Sequence, residues 1–352
     1  MVMKEGDIYL IRDRDLRVTP PVQSTYLKIG IAEDTPARVK QHQTGNPRKI
    51  EVTYQQSVPG KSQLEKFLHH YFSADRVRGE WFWIDGTREA SEVMPVLTAH
   101  HSEQIPHQAN LVTIDVLKTT YDNGNVRAPS TTEMNISTEL QQAEELLKVA
   151  KAQHEIHDRN LRALINTGNG IEGVITLNRK ASPDTFAKTA FIASLSPAEF
   201  LQCHSSGTEF VSNLTFLHPT RALSTINPAL NTARAAARAL APTASLPVSN
   251  LGNPAVPRSS SIESEHHEWL ETRRDIAIHK WTIDQKKAQL KALIGDDNEI
   301  TGVLSWVRGD QPFTDKWSLK DAKENLPTQY QSFCTPNSDI AAVNIHEGKP
   351  YP

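Results

Sequence analysis

Between residues 5 and 97 the spacing of apolar residues switches repeatedly between the period of a strand and that of a helix. DIYLIRD (7–13) and TYLKIGIA (25–32) read as strands joined by a charged, proline-containing loop longer than a tight turn. Thr35 is placed to cap the next helix, with Pro36 at its first position, where a missing amide donor costs nothing; Gly45 and Pro47 end it. KIEVTYQQSV (49–58) alternates like a third strand. SQLEKFLHHYF (62–72) sets Leu64, Phe67, Leu68, Tyr71 and Phe72 on one helical face, and GEWFWID (79–85) closes the unit as a short aromatic strand.

Residues 98–132 are rich in His, Gln, Asn and Thr and read as an irregular connection holding one strand, at 110–121. Residues 220–261 are dominated by Ala, Pro, Ser and Asn, the composition of a flexible linker, with a short Ala-rich helix at 228–240. The stretches flanking this linker are alike. LRALINTGNGIEGVITLNRKASP (161–183) aligns without gaps to LKALIGDDNEITGVLSWVRGDQP (290–312) at a constant offset of 129, which drifts to 131 to pair Cys203 with Cys334. Long charged helical segments, 137–166 and 262–295, precede the two copies. Two copies are too few for a solenoid. The expectation is an α+β chain: a first unit at 5–97, then two related α+β repeats at 133–219 and 262–345 that pack together or grip two similar sites.

Composition narrows the class. A length of 352 residues suggests two or three domains, and a net charge of −3 gives no global basic field, so nucleic-acid binding would need a local patch. Cys203 and Cys334 exclude a disulfide framework and have no close His or Cys at zinc-ligand spacing. They read as core residues of a chain in a reducing cytoplasm. No apolar run reaches the length of a membrane span.

Phosphodiester hydrolysis needs a deprotonated water, a divalent cation held by carboxylate oxygen, and a cationic side chain at the phosphate. Tyr9 and Lys28 on neighbouring strands, Arg38 and His42 one turn apart on a helix, and Glu65 on another helix could converge on such a site in a small sheet with helices on one face. Gly30 would leave room for a phosphate. Taken singly, each has an ordinary reading: a strand tyrosine packs, a helical arginine is solvated, Glu65 beside Lys66 faces water, and His69 and His70 line their helix, with a metal role the alternative for His69. Asn46 reads as a turn former and Glu80 as a structural residue.

In combination, IYLI (8–11), YLKIGIA (26–32), ARVKQHQTGNP (37–47), LEKFLHHYF (64–72) and GEWF (79–82) follow the order of motifs in the GIY-YIG nuclease superfamily. They are most similar to its phage- and bacterium-associated branch, whose second signature reads KIG. The resemblance covers about a quarter of the chain. It implies a small domain with a central antiparallel sheet flanked by helices, and an endonuclease that cuts DNA with one divalent metal, Mg²⁺ or Mn²⁺. Tyr9 matches the family's first tyrosine, Arg38 its helix arginine, Glu65 its metal-binding glutamate, and His42 a histidine found in some members. Lys28 stands at the second signature tyrosine, and GEWF occupies the region of a late asparagine. By this resemblance Glu65 holds the metal, Arg38 stabilises the phosphate, and Tyr9, assisted by Lys28 or His42, orients or deprotonates water.

Residues 302–339 resemble the segment after the nuclease core in YqaJ-type viral recombinase exonucleases, without that family's catalytic carboxylate and lysine motif. This implies a DNA-associated accessory module. DNA is then the expected partner, with a second copy of the chain or recombination and defence proteins as further ones, and no membrane. The alternative is a catalytically inactive GIY-YIG-fold protein that binds DNA or regulates; a third reading makes the repeats a protein-interaction platform.

Overall fold

The computed structural model describes residues 6–181, 184–241, 245–336 and 339–349. Residue 5, the expected start of the first unit, and residues 242–244 of the expected linker lie outside the described residues. The chain is α+β. In the first unit β1 (Asp7–Asp15) lies between β2 (Tyr26–Ala32) and β3 (Lys49–Ser57), and β2 continues to β4 (Trp81–Trp83) and the short strand Arg76–Arg78, all antiparallel.

β1 is buried on both faces, which is why IYLI is an unbroken apolar run. Tyr9 and Ile11 point to one side, with Ala32, Ile50 and Val39 of α1 (Thr35–Gln43). Ile8 and Leu10 point to the other, where Leu27 and Ile29 meet Leu64, Phe67 and Leu68 of α2 (Lys61–Tyr71). Helices therefore flank the sheet on both faces, the arrangement expected of the first unit, rather than packing on one face alone. The cap of α1 also differs from expectation. Asp34 accepts the Ala37 amide at 2.9 Å, while Thr35 is buried and donates to Asp7 at 2.9 Å.

The segment expected to be irregular, with a strand at 110–121, is instead largely α3 (Met94–Leu117). Its buried positions Leu97, Gln104, His107, Ile114 and Leu117 follow helical spacing. Two of the five are polar, and Pro106 sits among them, so an apolar-only pattern was not visible. The 228–240 helix forms as expected: α5 (Pro228–Leu240). The segment around it is not a free linker. It is tied to α4 (Thr131–Ile165) by Arg221 to Glu145, Arg238 to Glu155, and Arg159 to the Ala241 carbonyl at 2.7 Å.

α4 runs antiparallel to α6 (Ser260–Leu293): Glu144 pairs with Lys287 at 2.7 Å, His154 with Thr272 at 2.8 Å, and His157 with Glu265 at 2.7 Å. Each copy then sends its strands to the other. β5 (Ile175–Lys180) of the first copy pairs with β8 (Ile340–Ile345) of the second, while β6 (His204–Phe216) of the first pairs with β7 (Leu304–Trp317) of the second. The sequence offset of 129 carries the register pair Ile175–Ile345 onto Leu304–Phe216. It also carries the parallel bridge Ile171–Val256 onto Ile300–Arg127. The repeats thus begin upstream of 133 and 262, at the short strand Val126–Arg127 and its counterpart at Val256, and neither closes a sheet alone. Cys203 is buried with Phe191 and Ala322 where the copies meet, and Cys334 pairs with Phe186; both thiols are free. A chain cut once within residues 245–258 is therefore expected to elute as one particle under native conditions. Separation of the two fragments on size exclusion would contradict the interlock.

The first unit is fixed to this interlocked body rather than tethered to it. Ala277 and Trp281 of α6 sit in its core. The Trp281 indole donates to Glu103 at 2.6 Å, and the Ser73 hydroxyl donates to the Leu270 carbonyl at 2.7 Å. No helix among the described residues is long and apolar enough to cross a membrane.

Candidate active site

Strand register assembles the site. Tyr9 lies opposite Gly30 and Ile11 opposite Lys28. On its other edge Lys28 faces Trp81, and the Ile29 amide donates to the Glu80 carbonyl at 3.2 Å, so Glu80 comes alongside Lys28. Lys28, only 5% exposed, forms an ion pair with Glu80. Gly30 has a different role from the expected phosphate clearance. A methyl group there would lie 2.6 Å from the Tyr9 hydroxyl and 2.7 Å from its ring, so the glycine makes room for the tyrosine. Gly30→Ala is expected to displace Tyr9 at a cost of about 1–3 kcal/mol. An unchanged melting temperature would contradict that packing.

The five residues named from the sequence come together. The Tyr9 hydroxyl lies 3.4 Å from His42 Nε2 and within electrostatic reach of Arg38, which is exposed and reaches Gln41 at 3.0 Å. Burial raises the Tyr9 phenol pKa and Glu80's charge adds to this, against the pull of Arg38. Tyr9 is therefore a protonated donor at neutral pH. Burial, then the charges of Lys28 and Arg38, hold His42 below the usual imidazole range, so it is a neutral acceptor. Burial, then Glu80, pushes Glu65 up to about 7, against Lys28, Arg38 and Arg76. Glu80 differs: burial raises it, but the Lys28 hydrogen bond and charge, with His69 and Arg38, bring it net below the usual range. Two neighbouring carboxylates are thus shifted in opposite directions, the arrangement that divides acid from base roles.

Glu80 is the residue that sequence reasoning assigned only to structure. His69, for which the sequence left a metal role open, is half-buried and neutral, donating from Nε2 to the Ile29 carbonyl at 2.9 Å. Asn46 is a turn former as expected, accepting the Arg48 amide at 2.9 Å.

Among the described residues no three His, Cys, Asp or Glu side chains stand together as a metal cage. The donor set here is the Glu65 carboxylate, with Glu80 engaged by Lys28. That fits a magnesium ion held by one carboxylate and completed by water and phosphate oxygen, and does not fit a closed structural site. The raised Glu65 pKa follows from its partial burial and from the second carboxylate beside it.

Residues 6–97 match the family model of the T5orf172 domain. No curated protein and no solved structure matches the chain.

Proposed function

We propose that residues 6–97 form a metal-dependent, GIY-YIG-type endonuclease site that hydrolyses DNA phosphodiester bonds, joined to interlocked repeats that position the DNA. The observation carrying this reading is the convergence of Tyr9, Arg38, His42 and Glu65 from one strand and two helices lying on opposite faces of the sheet. The T5orf172 match covers the same stretch. Ionised Glu65 would hold Mg²⁺ or Mn²⁺, which when bound neutralises charge on the phosphate. The Tyr9 phenol orients the attacking water, His42 accepts its proton, and exposed Arg38 meets the phosphate. Lys28 keeps Glu80 ionised. The likeness of residues 302–339 to the YqaJ-associated segment supports a DNA-associated role for the repeats, and a cytoplasmic, phage or defence setting belongs to the same proposal.

Conversion of supercoiled plasmid to nicked product by the intact protein tests the reading. Product is expected with Mg²⁺ or Mn²⁺ and none with EDTA. One observation favours the inactive, DNA-binding alternative: the Lys28 ammonium, at the position of the family's second tyrosine, is already held by Glu80. DNA binding without metal-dependent product would select that alternative.

A further inference from the structure

We propose that a cationic cleft between the first unit and the α4–α6 pair binds the phosphodiester backbone of the nucleic acid; this rests on the nuclease reading and names where its substrate runs. The cleft has a volume of about 540 Å³ and joins His70 of α2, Lys151 and Arg162 of α4, and Arg273 and Lys280 of α6. Four cations there face only two carboxylates, Asp158 and Glu347. Asp158 neutralises Arg162 at 2.7 Å. Lys151 and Lys280 are exposed and form no ion pair among the described residues.

Glu347 sets a carboxylate between two guanidinium groups at the cleft. Its two oxygens bridge Arg76 at 2.8 Å and Arg273 at 3.3 Å, as a phosphate's would. The turn carrying it is held by the Lys349 amide on the Arg76 carbonyl, 2.7 Å. Arg273 also stacks over Trp269, whose buried indole N–H lacks a partner among the described residues. His70 and His154, both pushed down to about 4 chiefly by burial, offer hydrogen bonds rather than charge at neutral pH.

A second cleft of about 500 Å³ shares Glu347 and adds Arg76, Arg78 and Gly79, the residue next to Glu80. The cations therefore run as a track from the active site to the interlocked helices. A free nucleotide would need one phosphate subsite; a track extending across both clefts fits a polymer.

The test uses full-length Glu65→Gln protein, fluorescence anisotropy of a labelled DNA duplex, and a salt titration. Adding Lys151→Ala and Lys280→Ala is expected to weaken binding at least tenfold and to lower the slope of log affinity against log salt by about two. Glu347→Gln is expected to tighten binding severalfold. Unchanged affinity and slope in the lysine pair would overturn the cleft, as would equal competition by a mononucleotide. In the same lysine pair carrying wild-type Glu65, slower metal-dependent plasmid nicking at low DNA concentration supports the track. Nicking at the wild-type rate there defeats the track while leaving the nuclease reading standing. Tight binding with no metal-dependent nicking by the wild-type protein defeats the nuclease reading alone.

Discussion

Glu65→Gln is expected to lower the rate of metal-dependent DNA cleavage by roughly 10²–10³-fold, the scale of losing one preorganised electrostatic group. Glutamine keeps the shape and removes the charge. Glu65 is half-buried and makes no ion pair among the described residues, so the fold loses no partner. The stability effect has a defined sign. The folded-state pKa of Glu65 is raised to about 7 from an ordinary 4.5, by burial first and Glu80 second. Its protonated form therefore favours folding fully below about pH 4.5, and that contribution is lost as pH rises through 7. Glu65→Gln should remove this loss, melting no lower than wild type at neutral pH while cleaving far more slowly. A variant that cleaves at the wild-type rate would remove Glu65 from the site.

Glu89→Ala is expected to destabilise the first unit by about 3–5 kcal/mol, because it strands a buried charge. Arg12 is fully buried on β1 and donates from Nε to Glu89 at 2.5 Å. NH1 reaches the carbonyls of Ile84 at 2.7 Å and Ser24 at 3.1 Å, while NH2 has no partner among the described residues. The guanidinium thus ties the first hairpin to the chain after β4. Pairing Glu89→Leu with Arg12→Met should recover only part of the loss, since the two carbonyls then lack a donor. Urea unfolding of the three proteins measures this. A Glu89→Ala midpoint equal to wild type would show that the pair contributes no net stability.

The strands of the first unit and the apolar face of α2 were legible because their periodicity is local. So was the convergence of Tyr9, Lys28, Arg38, His42 and Glu65, through an ordered set of motifs. Glu80 was not, because its place depends on the pairing of β2 with β4 across some fifty residues of chain. Gly30 was misread for the same reason: the ring that fills its clearance comes from Tyr9 on the neighbouring strand. The duplication was visible as a fixed offset. The exchange of strands between copies was not, since β5 carries the same alternation whichever β-strand it pairs with. α5 was legible from its alanines, but its docking rests on Arg238 meeting Glu155 on α4, a contact that composition does not encode.

The most direct test is the pH dependence of single-turnover DNA cleavage by the intact protein at subsaturating magnesium. Metal binding at Glu65 competes with its proton, so the rate should rise about tenfold per pH unit and level off near pH 7, where Glu65 ionises. A rate that is flat across that range, or that persists in EDTA, would contradict a metal-dependent site built on Glu65.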